Sequence, residues 1–89
     1  MIRYHIIVQG RVQGVGFRYF VQYTASLLNI TGTATNLDNG DVEIYAQGDN
    51  EHVTAFLARV KRGNGFSRVI DCEVQEIPTI EKEKSFRII

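Results

Sequence analysis

The sequence has one cysteine and two histidines in 89 residues, which limits the sites that it can build. Cys72 has no second cysteine for an internal disulfide, and one thiol with two scattered histidines does not make a zinc site. Because Cys72 falls in the alternation Ile70, Cys72, Val74, we expect a small buried hydrophobe rather than a reactive thiol. Carboxylates and histidines are not clustered at ligand spacing elsewhere, so we expect neither a metal nor a cofactor.

Neither sign of charge is in excess, because 10 Lys and Arg balance 10 Asp and Glu. Such a chain has no overall positive field to attract nucleic acid or an acidic membrane. Its apolar runs are far too short to span a bilayer, and its first residues lack the apolar core of a secretory signal. We therefore expect a cytoplasmic protein that binds neither nucleic acid nor membrane, with a monomer as the default state.

The length suits a single domain over residues 1–89, large enough to bury a core but with a modest stability margin. Repeats, low-complexity segments and interdomain linkers are absent from the sequence. Hydrophobic periodicity gives its internal organisation. It predicts strands over residues 3–9, 31–37, 41–47, 67–77 and 86–88, and helices over 17–29 and 50–62.

Two amphipathic helices must cover one face of a mainly antiparallel sheet, which makes an α+β protein. The ferredoxin-like split β-α-β sandwich is the natural arrangement for this order of elements. The opposite sheet face carries much polar surface, so we expect it to be open to solvent. The charged run at residues 81–84 is expected to be a solvated loop.

Several finer expectations follow from local chemistry. Asn29 should stop the first helix and Asn50 should cap the second. The run Asp38–Gly40 should make the hairpin turn, because Asn-Gly tolerates left-handed backbone angles. In the long strand the inward residues should be Val69 or Ile70, followed by Cys72 and Val74.

The most informative stretch is residues 9–18, which reads QGRVQGVGFR and holds three glycines within seven residues. An apolar strand pattern leads into it, and a helical pattern from Phe17 leads out. Glycines let the backbone bring its N–H groups close to an anion, and a helix N-terminus adds free donors and partial positive charge. Arg18 can grip a phosphate with two parallel hydrogen bonds, whereas Arg11 is expected to be a loop charge that assists binding.

The spacing of the glycines alone supports two interpretations of this stretch equally: a structural turn capped by a helix, and an anion-binding site. The stretch is not a Walker A loop, because no Gly-Lys-Ser/Thr follows it. The run Gly-x-x-x-Gly-x-Gly also differs from the dinucleotide-binding fingerprint, and no acidic residue lies about 20 positions further on.

Two longer motifs are more specific. Residues 10–20, GRVQGVGFRYF, closely resemble the signature of the acylphosphatases, small enzymes that hydrolyse carboxyl-phosphate anhydrides. Residues 32–44, GTATNLDNGDVEI, resemble the second motif of that family, an asparagine-bearing strand that runs into a hairpin. The order and spacing of the two motifs extend the resemblance over essentially the whole chain, and the resemblance also implies the ferredoxin-like fold.

The resemblance implies a small-molecule acyl phosphate substrate, with inorganic phosphate as product and competitive inhibitor. Arg18 would hold the phosphoryl group and Asn36 would orient the attacking water. Metals and cofactors are not implied. The remaining implied contacts are backbone N–H groups that cradle the phosphate, from Gln13, Gly14, Val15, Gly16, Phe17 and Arg18.

Two positions depart from the usual family pattern. Where many members read Gly-Trp-Val-Arg-Asn, this chain has Thr33 in place of the aromatic residue and Thr35 in place of the cation. We expect a smaller and less positive surface beside the site, which would affect substrate preference more than reaction type. Because the last strand pattern runs to Ile89, we also expect the end of the chain to approach Arg18 or Arg11.

Three other functions share these features. The same signature occurs in a domain at the start of hydrogenase-maturation carbamoyltransferases, although the length of this chain from Met1 favours a free-standing protein. A phosphate-binding module without turnover would use the same loop. An RNA-recognition domain has the same element order but needs stacked aromatics in basic surroundings, whereas Tyr45 lies in an acidic arm.

Overall fold

The chain forms seven elements in the order that the periodicity predicts. The computed structural model describes all residues from Met1 to Ile89. The elements are β1 (Ile2–Arg11), α1 (Phe17–Leu27), β2 (Thr31–Asn36), β3 (Val42–Gly48), α2 (Asn50–Arg62), β4 (Arg68–Ile77) and β5 (Phe86–Ile88).

The five strands make one sheet in the order β4-β1-β3-β2-β5. β1 runs antiparallel to both β3 and β4, β2 runs antiparallel to β3, and β5 lies parallel to β2 at the edge. α1 connects β1 to β2 with β3 between them, and α2 connects β3 to β4 with β1 between them. This double split β-α-β connection confirms the predicted ferredoxin-like α+β fold.

The core lies between the sheet and the two helices. Ile6 and Val8 alternate along β1 and are fully buried, as strand periodicity requires. α1 contributes Phe17, Val21 and Ala25 at helical spacing. Burial of a side chain as large as Phe17 stabilises the fold by about 2–3 kcal/mol, and it fixes the start of α1. Neither helix is long and apolar enough to cross a membrane.

Two predicted helix boundaries differ from the structure. α1 ends at Leu27, two residues earlier than predicted, with Leu28 as its C-cap. Asn29 follows the C-cap in a left-handed conformation with φ 55°, which is how an asparagine ends a helix, so its predicted role as the stop is confirmed. The N-cap of α2 is Asp49 rather than Asn50, and no side chain caps that end. The Asp49 backbone oxygen accepts the first hydrogen bond of the helix, from the Val53 N–H.

An irregularity in β4 changes which of its side chains face the core. Gln9 pairs with Asp71 but Gly10 pairs with Val69, so Ile70 is an unpaired bulge residue. Ile70 is 74% exposed, whereas Val69 packs against the core, so Val69 is the inward member of that pair. Val74 was predicted to be inward and is 38% exposed, because β4 is an edge strand.

Cys72 is half-buried and packs against the core, as predicted. Desolvation by burial raises the pKa of its thiol, which Lys61 opposes and Asp71 reinforces. A raised pKa disfavours the reactive thiolate, so packing accounts for this residue.

The segment between β4 and β5 covers one end of the sheet face that was expected to be open. Gln47 exchanges two hydrogen bonds with the backbone of Ile80, at 2.9 and 3.0 Å. Arg3 and Glu83 form an ion pair at 2.8 Å, with side chains only 7% and 16% exposed. The prediction of a solvated loop is therefore wrong at Glu83. The sequence could not show this, because its partner Arg3 lies 80 positions away.

Candidate active site

A cavity of about 170 Å³ lies where the glycine loop meets the end of β2. It brings together Arg18 and Asn36, which the sequence had placed in two separate motifs. Val15, a predicted member of the cradle, is not part of the lining, and its side chain packs against the core. The lining residues are Val12, Gln13, Gly14, Gly16, Phe17, Arg18, Tyr19 and Asn36.

The glycine loop holds its backbone in a conformation that side chains disfavour. Gly14 and Gly16 both have φ of 72°, although a Cβ at either position would meet no atom within 4 Å. Backbone strain, rather than lack of space, therefore favours glycine here. Gly16 caps α1, and its oxygen accepts the Phe20 N–H at 3.1 Å.

The backbone N–H groups of residues 14–18 donate to no acceptor within the chain. Several of these residues line the cavity, and the first turn of α1 contains no acidic side chain that could occupy the donors. Free N–H groups at a helix N-terminus favour a bound anion through both hydrogen bonds and the helix dipole.

Arg18 stands in the first turn of α1 and supplies the only full charge in the cavity lining. It forms no ion pair with a side-chain carboxylate. Its Nη1 donates to the Ile89 oxygen at 3.5 Å, so the end of the described chain lies near Arg18, as expected. Arg11 is exposed and lies outside the lining.

Asn36 ends β2 and belongs to the sheet face that the helices cover. Its strand partner is Val42, and Ala34, which lies two residues before it, is fully buried on the same face. Asn36 Oδ1 is the one buried side-chain nitrogen or oxygen in the chain without a hydrogen-bond partner. An unsatisfied buried acceptor costs about 1–3 kcal/mol. The fold thus keeps an acceptor free beside the anion site.

Thr33 and Thr35 lie on the other side of the sheet. They pair with Tyr45 and Glu43 of β3, and strand alternation turns both away from the face that carries Asn36. Neither residue lines the cavity. The structure therefore does not support the expectation that these two substitutions reshape the surface beside the site.

The cavity lining contains no His, Asp, Glu, Lys or Cys. His5 bonds Glu43 at 2.8 Å through its Nε2, but this pair belongs to the opposite face of the sheet. Three or more His, Cys, Asp or Glu residues are nowhere grouped so that they could hold a metal ion. The polar groups that the cavity offers are therefore the Arg18 guanidinium, the backbone donors, the amides of Gln13 and Asn36, and the Tyr19 phenol.

Sequence reasoning missed a side chain that joins the loop to the hairpin. Gln13 Nε2 donates to the Leu37 oxygen at 2.8 Å and to the Asp41 oxygen at 2.9 Å. These carbonyls belong to the two sides of the β2–β3 turn, next to Asn36. The Gln13 side chain therefore helps to fix Asn36 relative to the loop, which no local pattern in the sequence could reveal.

A larger groove of about 650 Å³ runs along α1 toward β5. Tyr19 lies in the walls of both the groove and the smaller cavity. Along the groove, Gln22 Nε2 bonds the Phe86 oxygen at 3.2 Å. The groove contains neither predicted site residue, so its greater size does not make it the candidate site.

Comparison with known proteins gives matches along the full chain. The sequence model of the family described as Acylphosphatase matches residues 4–88. A protein named Acylphosphatase from Clostridium beijerinckii is 53% identical over 99% of this chain and 98% of its own length.

Solved structures agree with these sequence matches. The crystal structure of acylphosphatase from Bacillus subtilis has a TM-score of 0.96 and 46% identity, and the match covers 100% of this chain and 99% of that one. HypF from T. kodakarensis is also similar, with a TM-score of 0.87 and 37% identity, but the match covers only 12% of the HypF chain. A family match over nearly the whole length, with close relatives of the same size, shows that the chain belongs to the acylphosphatase family.

Proposed function

We propose that this protein hydrolyses small acyl phosphates to a carboxylate and inorganic phosphate. The observation that carries the proposal is the cavity in which Arg18, free backbone donors and the unpaired Asn36 Oδ1 come together. Family membership supports the same reaction, because the relatives carry the name of this activity.

The loop and Arg18 would hold the phosphoryl group. Phosphoryl transfer depends mainly on positioning and on stabilising the charge of the three equatorial oxygens. The backbone N–H groups of residues 14–18 are free for this purpose. Arg18 adds a full charge and a guanidinium that can form two parallel hydrogen bonds to a phosphoryl group.

Asn36 would orient the attacking water. Its Oδ1 accepts a hydrogen bond from the water, and its Nδ2 can donate to a neighbouring oxygen. An amide cannot deprotonate water near pH 7, so Asn36 acts by orientation and not as a general base. Oδ1 has no partner inside the chain and Asn36 lines the cavity, so the amide is free to turn this acceptor toward the water.

The leaving group explains why a cavity without an acid–base pair can be sufficient. A carboxylate has a pKa of about 4 in its free acid and leaves without a proton. An alcohol or phenol is a poorer leaving group and gains more from a general acid. The lining offers only the Tyr19 phenol, which is 68% exposed, and no His, Asp, Glu, Lys or Cys. We therefore propose acyl phosphates, and not phosphate monoesters, as the substrate class.

The size of the cavity indicates which part of the substrate it holds. About 170 Å³ is small beside the roughly 300–1,000 Å³ of pockets that enclose whole ligands. It suits a phosphoryl group with a water, leaving the acyl group outside. The loop, Arg18 and Asn36 meet within a single chain, so we propose that the monomer is sufficient for activity.

Hydrolysis of benzoyl phosphate and acetyl phosphate by the purified protein tests the proposal, with p-nitrophenyl phosphate as the ester comparison. Because the site uses arginine and backbone donors, both acyl phosphates should be hydrolysed in excess EDTA. The ester should react at least about a hundredfold more slowly, for lack of a buried general acid. Activity that disappears with the chelator and returns with Mg²⁺ would contradict this mechanism, as would failure to hydrolyse either acyl phosphate.

Inorganic phosphate should inhibit competitively and also stabilise the fold, because one cavity explains both effects. At 100 times its dissociation constant, phosphate should add about 2.7 kcal/mol to the free energy of unfolding. Thermal unfolding and inhibition kinetics measure the two constants, which should agree. Chloride at equal ionic strength is the control. Non-competitive inhibition, or no shift in Tm at saturating phosphate, would place the phosphate site elsewhere.

A further inference from the structure

A residue far from the cavity in sequence is bonded to the glycine loop. Asn64, in the connection between α2 and β4, donates from Nδ2 to the Val15 oxygen at 2.9 Å, across 49 positions of sequence. Asn64 is half-buried and does not line the cavity. The contact therefore reaches the site only through the backbone of Val15.

The other end of the Asn64 amide is also fixed. Oδ1 accepts the Phe66 N–H at 3.0 Å and the Ser67 N–H at 2.8 Å. The Asn64 N–H in turn donates to Ser67 Oγ at 3.1 Å. With Oδ1 held by its own loop, the amide has one orientation, and its Nδ2 points at Val15.

The direction of the Val15 carbonyl decides the direction of the next N–H. The Val15–Gly16 peptide is trans, so its C=O and N–H point in opposite directions. When Asn64 holds the Val15 oxygen, the Gly16 N–H points away from Asn64. Gly16 lines the cavity, and its N–H has no acceptor within the chain.

Glycine makes this peptide easy to rotate. Gly16 has φ of 72°, and a glycine populates both signs of φ with little difference in energy. A flip of the Val15–Gly16 peptide would carry the Gly16 N–H out of the cradle. The loop thus needs a contact from outside itself to keep this donor in place.

We propose that Asn64 is a positioning residue for the phosphate cradle: its hydrogen bond to Val15 keeps the Gly16 N–H directed at the bound phosphoryl group. The inference rests on the proposed phosphate site and deepens it. Asn64 touches no reacting atom and acts through the orientation of one peptide.

Three variants separate this role from a structural one. Asn64→Ala removes both ends of the amide. Asn64→Asp keeps an oxygen to accept the Phe66 and Ser67 N–H groups, so the turn persists, but it removes the donor to Val15. Ser67→Ala is the matched control, because it disturbs the same turn by removing the Ser67 Oγ acceptor and leaves the bond to Val15 intact.

We expect both Asn64 variants to bind inorganic phosphate about tenfold more weakly and to lose at least about tenfold in kcat/KM on benzoyl phosphate. Outright removal of one preorganised donor reduces kcat by about 10²–10³. A donor that remains present but is free to rotate should cause only part of that reduction. Ser67→Ala should bind phosphate within about twofold of the wild type, even if its unfolding midpoint falls. The reason is that this variant keeps the bond from Asn64 to Val15, and with it the orientation of the Gly16 N–H on which the affinity depends.

Amide chemical shifts provide a readout that does not need turnover. In a ¹⁵N-labelled wild-type protein titrated with phosphate, the Gly16 amide should shift. In Asn64→Ala its response should shrink while that of Gly14 persists. A wild-type Gly16 amide that does not respond overturns the inference whatever the activity, whereas binding with this response but without hydrolysis overturns only the proposed function.

Two further outcomes would overturn the positioning role. Asn64→Ala could bind phosphate with wild-type affinity, or Ser67→Ala could weaken binding as much as the Asn64 variants do. Weakening confined to Asn64→Asp would show repulsion by the new carboxylate instead of loss of the donor.

Discussion

Replacing Arg18 with glutamine should abolish measurable phosphate binding and reduce kcat/KM on benzoyl phosphate by about a thousandfold or more. Arginine stabilisation of a phosphoryl transition state supplies effects of about 10³–10⁵, and Arg18 is the one charged side chain in the cavity. Glutamine keeps much of the length but loses the charge and the two-pronged donor geometry. Steady-state kinetics and the phosphate-dependent change in Tm measure the two losses.

Arg11→Gln is the matched control, because it makes the same change of charge near the same loop. Arg11 is exposed and does not line the cavity. Its loss should change kcat/KM by less than about tenfold, as expected for a solvent-screened charge. Equal losses in the two variants would show that the general field, and not a contact from Arg18, holds the phosphoryl group.

Asn36→Ala should separate binding from turnover. We expect kcat to fall by about a hundredfold or more, because a misplaced nucleophile alone can lose that factor. The inhibition constant for phosphate should remain within about twofold of the wild type, since in the proposed mechanism Asn36 contacts the water and not the phosphate. The free energy of unfolding should be unchanged or higher, because the change removes an unpaired buried acceptor.

Asn39→Ala in the adjacent turn is the control for Asn36. The Asn39 side chain bonds the Asp41 carboxylate at 3.1 Å and the Asp41 N–H at 3.0 Å, so its role is structural. Its replacement should lower stability by about 1 kcal/mol and leave kcat unchanged. Normal turnover by Asn36→Ala would show that the water is oriented by another group.

The sequence allowed the fold to be predicted because its signals are local and repetitive. Alternation in β1 and the apolar stripes of both helices determine which faces are buried, and the order of elements then leaves few topologies. Boundaries were less predictable: Asp49 and Asn50 are both good caps, so local chemistry could not choose between them. The bulge at Ile70 could not be predicted from the sequence either, because it arises from the register in which β4 pairs with β1.

The site could be predicted only in part for the same reason. A family motif singled out Arg18 and Asn36, but spacing alone could not show that they line one cavity. The side chains of Gln13 and Asn64 were missed as contacts, because their partners lie 24 to 49 positions away. Such contacts exist only after the chain has folded.

The structure and the comparisons bear differently on two of the alternative functions, a domain of a HypF-type protein and an RNA-recognition domain. HypF matches the fold, but the chain covers 12% of that protein and 98% of an acylphosphatase relative. For RNA, His5 and Tyr45 do form an aromatic pair at 4.9 Å on the central strands. However, Glu43 bonds His5 and Glu83 neutralises the nearby Arg3, so the surroundings are not basic. Cytoplasmic location and monomeric state remain predictions.

The most direct test of the account is hydrolysis of benzoyl phosphate in water enriched in oxygen-18. If a water beside Asn36 attacks a phosphoryl group held by Arg18 and the loop, the P–O bond breaks. The label should then appear in inorganic phosphate and not in benzoate, as mass spectrometry of the two products would show. Label in the benzoate would mean attack at the carbonyl carbon and would contradict the proposed mechanism.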